Sequence, residues 1–149
     1  MLTPERFLTV LLVEDDPGDA LLIEEVFSEH GASEGLYIVG DGVEAIDFVR
    51  RQGEFADAPR PDLILLDLNL PRRSGREVLA ELKADADLGM IPVVVMTTSS
   101  AEEDVVRAYF DHANAYVTKP LDWADFTRTV RRVDHFYRDI ARLPAQRTA

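Results

Sequence analysis

Four short apolar runs in this chain each stop abruptly on polar or charged residues, and that repeated edge restricts the fold more than any other feature. Val10-Leu11-Leu12-Val13 ends on Glu14-Asp15-Asp16. Asp62-Leu63-Ile64-Leu65-Leu66 ends on Asp67, with Leu68-Asn69-Leu70-Pro71 opening a loop. Val93-Val94-Val95-Met96 ends on Thr97-Thr98-Ser99, and Ala115-Tyr116-Val117-Thr118 ends on Lys119-Pro120. Such runs read as buried strands, and helical patterns separate them, so strand and helix alternate five times. That alternation is the signature of an α/β fold built on a parallel sheet. In an open parallel sheet the C-terminal strand ends share one edge, and ligands bind there. Carboxylates, a hydroxyl and an ammonium would therefore meet at one place, a combination suited to a hard cation and a phosphoryl group.

The first strand covers roughly Thr9 to Val13. The helix after it has Asp16 as its expected N-cap and Pro17 at the first helical position. Its apolar residues Ala20, Ile23 and Phe27, flanked by Leu22 and Val26, recur at helical spacing, and Gly31 is its expected terminator. Gly35-Leu36-Tyr37-Ile38-Val39 forms the second strand, and Gly40-Asp41-Gly42 turns into a second helix carrying Val43, Ala45, Ile46 and Val49. The segment from Gln52 to Pro61 reads as a loop, because a strand starts directly after it. A third helix runs from near Gly75 to about Asp85 with Val78, Leu79 and Leu82 on the sheet. A fourth runs from Ala101 to about Asp111 and carries Val105, Ala108 and Tyr109.

The fifth helix carries more apolar surface than a sheet contact needs. Phe126, Val130, Val133, Tyr137 and Ile140 follow a 4-3-4-3 spacing that makes one continuous seam. Trp123, Phe136 and Leu143 add apolar area outside it. One stripe is enough to bind a helix to a sheet, so the excess points to a partner, with Trp123, Phe126, Phe136 and Tyr137 as the expected contact face. The plainer alternative is that the seam is core and the other aromatics cover its flanks.

Composition narrows the partners. At 149 residues the chain has single-domain size, with a core expected over about 8–143 and short flexible termini. A formal charge of −12 argues against direct nucleic-acid binding, which relies on clustered Lys and Arg. There is no cysteine, hence no disulfide framework and no thiolate metal site. His30, His112 and His135 are scattered. No apolar run approaches the roughly 20 residues that span a bilayer, and Met1-Leu2-Thr3-Pro4-Glu5-Arg6 lacks the features of a secretory signal. A soluble cytoplasmic protein is expected.

The chemistry at the strand ends follows from donor types. Mg2+ prefers oxygen ligands, from one or two carboxylates plus waters and phosphate oxygens. Asp15 and Asp67 can supply the carboxylates, Glu14 can act directly or through water, and a backbone carbonyl near Asn69 can complete the set. Aspartate can also be the nucleophile that forms an aspartyl-phosphate. Lys119 would balance charge on the phosphoryl oxygens, and the Thr97 hydroxyl could bond one from the opposite side. Each residue has a bland reading: helix-capping acids for Glu14-Asp15-Asp16, a turn residue for Asp67, a sheet residue for Thr97, a core aromatic for Tyr116, an exposed loop lysine for Lys119. Their joint occurrence at successive strand ends is what the bland readings do not explain.

As a set, Glu14-Asp15, Asp67-Leu68-Asn69-Leu70-Pro71, Thr97, Tyr116 and Lys119-Pro120 resemble the response-regulator receiver domains of two-component signalling. The resemblance covers nearly the whole chain. It implies a doubly wound five-stranded parallel sheet of flavodoxin-like (βα)5 type, strand order 2-1-3-4-5. It implies Asp67 as phosphoacceptor, Lys119 as the phosphate-contacting lysine, and Thr97 with Tyr116 as the pair that moves on phosphorylation. It implies Mg2+ held by Asp15, Asp67 and the Asn69 carbonyl, with Glu14 assisting through water. Arg51-Gln52-Gly53-Glu54-Phe55-Ala56, Met96-Thr97-Thr98-Ser99-Ser100 and Asp134-His135-Phe136-Tyr137 are similar to phytochrome-associated single-domain regulators. Such regulators are served by light-sensing histidine kinases, and several dimerise through their C-terminal parts.

The expected function is phosphoryl transfer from a kinase phosphohistidine to Asp67, which switches the face of helix four, strand five and helix five. The chain has room after Lys119-Pro120 for helix five and little else, so output is expected to be a protein–protein event. A Mg2+-dependent phosphatase working through an aspartyl intermediate is the enzymatic alternative. It would need a second carboxylate two residues after the nucleophile, where Asn69 stands. A flavodoxin-like flavin module is disfavoured by the acids of the first loop. A pseudo-receiver that only docks is disfavoured by the intact acidic pair, acceptor and lysine. Arg72-Arg73 would add positive charge near the site.

Overall fold

The apolar runs become five strands: β1 (Val10–Val13), β2 (Leu36–Val39), β3 (Leu63–Leu66), β4 (Val93–Thr97) and β5 (Ala115–Thr118). The computed structural model describes residues 8–29 and 35–144. All four strand pairings are parallel, and the order is β2-β1-β3-β4-β5. Val10–Val13 pairs with Leu36–Val39 on one side and with Leu63–Leu66 on the other. Between the strands lie α1 (Pro17–Ser28), α2 (Gly42–Arg50), α3 (Gly75–Ala84) and α4 (Glu102–Phe110), and α5 (Trp123–His135) follows β5. The fold is flavodoxin-like and doubly wound, as the alternation requires.

Consecutive apolar residues are needed because the central strands are covered on both faces. Leu11, Val13, Ile64, Leu66, Val93 and Val95 face one core with Phe48 of α2, Leu79 and Leu82 of α3 and Ala108 of α4. Val10, Leu12, Leu63, Leu65, Val94 and Met96 face the other with Ile23 and Phe27 of α1 and Phe126 and Val130 of α5. Side chains alternate across a strand, so each run divides evenly between the two layers.

The helix starts are set by local chemistry. The Asp16 carboxylate accepts from the backbone N–H groups of Gly18 and Asp19, and Pro17 sits where no N–H is needed. Asp41 caps α2 by accepting from the Glu44 N–H, while the Glu44 carboxylate reaches back past the cap to accept from the Gly40 N–H. Ser74 caps α3 and Asp122 caps α5. Helix α1 ends at Ser28; Gly31, its expected terminator, lies outside the described residues, as does His30. The segment from Gln52 to Pro61 is mostly irregular, with a short 3-10 turn at Gly53–Phe55 that packs Phe55 on Phe48 at 5.4 Å between ring centroids.

The last two helices use their apolar residues differently. In α4 the buried side chain is Ala108, while Tyr109 is 51% exposed. One residue on from Ala108 is about 100° around the helix, which carries Tyr109 off the sheet-facing side. In α5 the seam holds only in part. Phe126 and Val130 are buried and Val133 and Tyr137 pack partly, but Ile140 is 62% exposed. Regular helix stops at His135, and a π turn over Phe136–Ile140 adds a residue to the turn and rotates Ile140 away from the stripe. Phe126 therefore lies in the interior rather than on a partner face. Trp123 and Phe136 are exposed, and Leu143 packs on the core of α1 and α5. The buried Asp134 is held by Arg138, whose Nε and Nη2 reach Oδ1 at 3.0 and 2.9 Å.

Candidate functional site

The strand ladder continues past the strand ends and fixes the residues that follow them. Glu14 N donates to Val39 O at 3.0 Å, Asp67 N to Val13 O at 3.1 Å and Lys119 N to Thr97 O at 2.7 Å. These bonds bring the ends of β1, β3, β4 and β5 together at the C-terminal edge. Close packing of α3 adds to the constraint. A Cβ on Gly75 would lie 2.1 Å from the Asp67 carbonyl oxygen and 2.6 Å from Leu68 Cα, so the first residue of α3 must be glycine. Its N–H donates to Leu68 O at 2.9 Å.

Lys119 is the centre of the site. Its side chain is 4% exposed, and its Nζ lies 2.6 Å from Glu14 Oε2, 2.9 Å from Asp67 Oδ2 and 2.9 Å from Asp19 Oδ2. An ammonium has three protons and each meets one carboxylate. Glu14 and Asp67 are each held by their second oxygen as well: Glu14 Oε1 accepts from Asp16 N at 3.0 Å, and Asp67 Oδ1 accepts from Asn69 N at 3.0 Å. Glu14, Asp15 and Asp67 each place a carboxylate oxygen within 4.8 Å of the others. Glu14 and Asp67 are buried and Asp15 is exposed, so the trio opens toward solvent on the Asp15 side. A compact all-oxygen donor set of this kind fits a hard divalent cation rather than a soft one.

One cation among so many acids leaves the pocket short of positive charge, and the protonation states reflect it. Burial, helped by the nearby Asp67 charge, pushes the Glu14 carboxyl from 4.5 up to about 7 even though Lys119 pulls the other way. Burial by itself would weaken the Lys119 ammonium, but bonds to Asp67, Glu14 and Asp19 outweigh it and hold the proton more firmly than usual. The ammonium thus stays charged, and Glu14 takes a proton more readily than an ordinary carboxylate.

The hydroxyl and the aromatic ring occupy the β4 and β5 ends. Thr97 is fully buried, and its Oγ1 accepts from Asn69 Nδ2 at 3.5 Å. Tyr116 pairs in register with Val95, on the same side of the sheet as Thr97, and its hydroxyl donates to Ser99 O at 2.8 Å. Ser99 Oγ in turn lies 2.5 Å from Asp104 Oδ2 of α4, and Asp104 pairs with Arg76 of α3. The loop after β4 is thereby tied to Tyr116 on one side and to two helices on the other.

Sequence reasoning brings Glu14, Asp15, Asp67, Asn69, Thr97, Tyr116 and Lys119 to one edge, and the structure does the same. Arg72 and Arg73 in the loop after the acceptor are ion-paired. Arg72 turns to Asp41, Nε to Oδ2 at 3.0 Å, and Arg73 turns to Glu77 and Glu81. Their charges are taken up by these partners. Asp19 lies outside the set that strand ends can reveal, because it reaches the site from the first turn of α1. A carboxylate four residues after Asp15 on a helix capped at Asp16 was the available signal.

A doubly wound sheet whose C-terminal edge gathers an acidic trio, a saturated lysine and a buried threonine around one strand-end aspartate defines a phosphoacceptor signalling protein. The chain belongs to the response regulator receiver domain family, whose profile matches residues 10–131. It is 46% identical over 136 residues to the response regulator Rcp1 of Synechocystis sp. (strain PCC 6803), covering 91% of this chain and 92% of that protein. A crystal structure of Rcp1 in its Mn2+-bound form superposes with a TM-score of 0.87 at 45% identity, covering 93% of this chain and 99% of that one. The phosphorylated cyanobacterial phytochrome response regulator RcpA superposes with a TM-score of 0.90 at 43% identity, covering 94% and 100%. Among the described residues no helix is long and apolar enough to cross a membrane.

Proposed function

We propose that Asp67 takes a phosphoryl group from a phosphohistidine of a sensor histidine kinase, with Mg2+ as the working ion and a phytochrome-type kinase as the donor. The observation that carries the reading is the position of Asp67. One oxygen is 2.9 Å from the Lys119 ammonium, and a carboxylate oxygen lies within 4.8 Å of donors from both Glu14 and Asp15. Asp15, Asp67 and the Asn69 carbonyl would hold the ion, with Glu14 assisting through water. When bound, Mg2+ supplies positive charge against the transferring phosphoryl oxygens. The phytochrome assignment is supported by the similarity to RcpA along the full length of that chain.

In the transfer, the P–N bond of the donor breaks as a P–O bond forms to an Asp67 oxygen, and the released imidazole nitrogen takes its proton from solvent. Lys119 keeps all its protons and contributes charge, in a reaction governed by positioning and electrostatics. The Thr97 hydroxyl donates to a phosphoryl oxygen. That movement pulls on Thr98 and Ser99, whose carbonyl holds the Tyr116 hydroxyl, and so alters the face of α4, β5 and α5. The result is a shift between two arrangements driven by contacts made in only one of them.

Incubation with acetyl phosphate or phosphoramidate and Mg2+, followed by intact mass, tests the reading. A phosphate-sized gain in the wild type that disappears in Asp67→Asn and in EDTA is expected; no gain with any donor refutes it. Self-association through the end of α5 completes the proposal. Phe136 is exposed there and Trp123 at the start of the helix, and an apolar groove of about 390 Å3 runs between β5 and α5, lined by Val94, Val117, Val133, Phe136 and Tyr137 among others. Size-exclusion chromatography with light scattering should show a concentration-dependent dimer. A monomer at all concentrations, with and without phosphorylation, removes this part.

A further inference from the structure

The third carboxylate on Lys119 has no place in the scheme above. Asp19 comes from the first turn of α1 rather than from a strand end, and its Oδ2 is 2.9 Å from Nζ, the same distance as the acceptor Asp67. Resting on the reading of Asp67 as phosphoacceptor, we propose that Asp19 is a positioning residue for phosphoryl transfer. Asp19 and Glu14 form a two-point anchor that leaves the third Lys119 proton directed at the oxygen of Asp67.

The ammonium has three protons and no lone pair, and all three are engaged. Once Asp67 becomes an acyl phosphate, its carboxyl oxygens lose their charge and the phosphoryl oxygens carry it. The N–H that pointed at Asp67 then transfers to a phosphoryl oxygen, while the bonds to Glu14 and Asp19 persist. The anchors come from different elements: Glu14 from the end of β1 and Asp19 from the first turn of α1. Asp19 is itself placed by the α1 cap, since its N–H donates to Asp16 Oδ1 at 3.1 Å. A flexible four-carbon side chain held at two points has little freedom left at its tip. Held at Glu14 alone, it can rotate its remaining protons toward solvent at the mouth of the pocket. The bond made and the bond broken are those of the transfer already described, and no proton leaves Lys119.

Anchoring and simple charge make opposite predictions. If Asp19 acted only as a negative charge near an incoming phosphoryl group, removing it would speed the reaction, equally for Asp19→Asn and Asp19→Ala. If it anchors Lys119, Asp19→Asn retains an acceptor oxygen and Asp19→Ala does not. Phosphorylation by acetyl phosphate at saturating Mg2+ is then expected to slow about tenfold in Asp19→Ala and no more than about threefold in Asp19→Asn, the scale expected for a displaced catalytic contact. The metal-free proteins give a second readout, the Lys119 ammonium resonance by 15N NMR. Its protons should exchange with solvent faster in Asp19→Ala than in wild type, with Asp19→Asn between the two. Equal rates in both variants, acceleration in both, or an ammonium signal unchanged in Asp19→Ala overturns the proposal. A wild type that takes no phosphate would refute the phosphoacceptor reading instead, and the NMR comparison would still decide whether Asp19 anchors Lys119.

Discussion

Replacing Glu14 with glutamine separates its two contributions, a bond to Lys119 and a charge in a dry pocket. The Glu14 side chain is 2% exposed, and its carboxyl is pushed from 4.5 up to about 7 chiefly by burial. A carboxyl whose folded pKa lies above its unfolded one binds its proton more tightly in the folded state. Its contribution to stability is complete below the unfolded value and is lost as pH rises through the folded value. The gap from 4.5 to about 7, at about 1.4 kcal/mol per unit, corresponds to about 3 kcal/mol. Glutamine keeps an oxygen for the ammonium and cannot ionise, so its stability lacks this slope. Urea unfolding of both proteins in EDTA, from about pH 4.5 to about pH 8, measures the difference. The wild type should lose about 3 kcal/mol relative to Glu14→Gln over that range, with equal m-values. Parallel curves would refute the reasoning, and so would a wild type that gains on the variant as pH rises. Either result would mean that Lys119 keeps Glu14 ionised throughout and that burial is the lesser effect.

Other outcomes follow from the same geometry. Mg2+ affinity, followed by calorimetry, should weaken as pH falls through about 7, because Glu14 must give up its proton near the ion; Asp15→Asn should weaken it by about tenfold or more at any pH. Gly75→Ala should cost about 1–3 kcal/mol in denaturant unfolding, since the new methyl meets backbone at the acceptor strand end and neither side can yield cheaply. Phe126→Ala should cost about 3–5 kcal/mol while Phe136→Ala costs less than about 1 kcal/mol, because the first ring is buried and the second is half exposed. Similar losses from the two would show that Phe136 is part of the folded core.

The parts of the molecule that sequence determines are those with a short-range cause. The uninterrupted apolar runs of β1, β3 and β4 can be satisfied only by strands covered on both faces, and parallel strands require the intervening helices. Asp16-Pro17 sets the start of α1 through its own backbone bonds. Because strand ends share an edge in this topology, Glu14, Asp15, Asp67, Thr97 and Lys119 could be assigned to one site without coordinates. Where periodicity was extended beyond its warrant, it failed. The spacing of Phe126, Val130, Val133, Tyr137 and Ile140 assumes an unbroken helix, and the π turn after His135 breaks it.

What only the tertiary structure decides are contacts between groups remote in sequence and not at strand ends. Asp19 meets Lys119 because the first turn of α1 passes over the end of β5; its spacing from Asp15 places it on that turn but does not supply the partner. Arg72 and Arg73 bond to Asp41, Glu77 and Glu81, so a charge count near the acceptor overstates the local field. Burial of Glu14, and with it the rise of its pKa, depends on Lys119 and Asp67 being brought against it from the ends of other strands. Sequence determines which groups come to the edge, since chain direction and strand order require it. The three-dimensional packing decides which of them share a proton, because solvent exclusion and distances of a few ångströms are properties of the assembled layers.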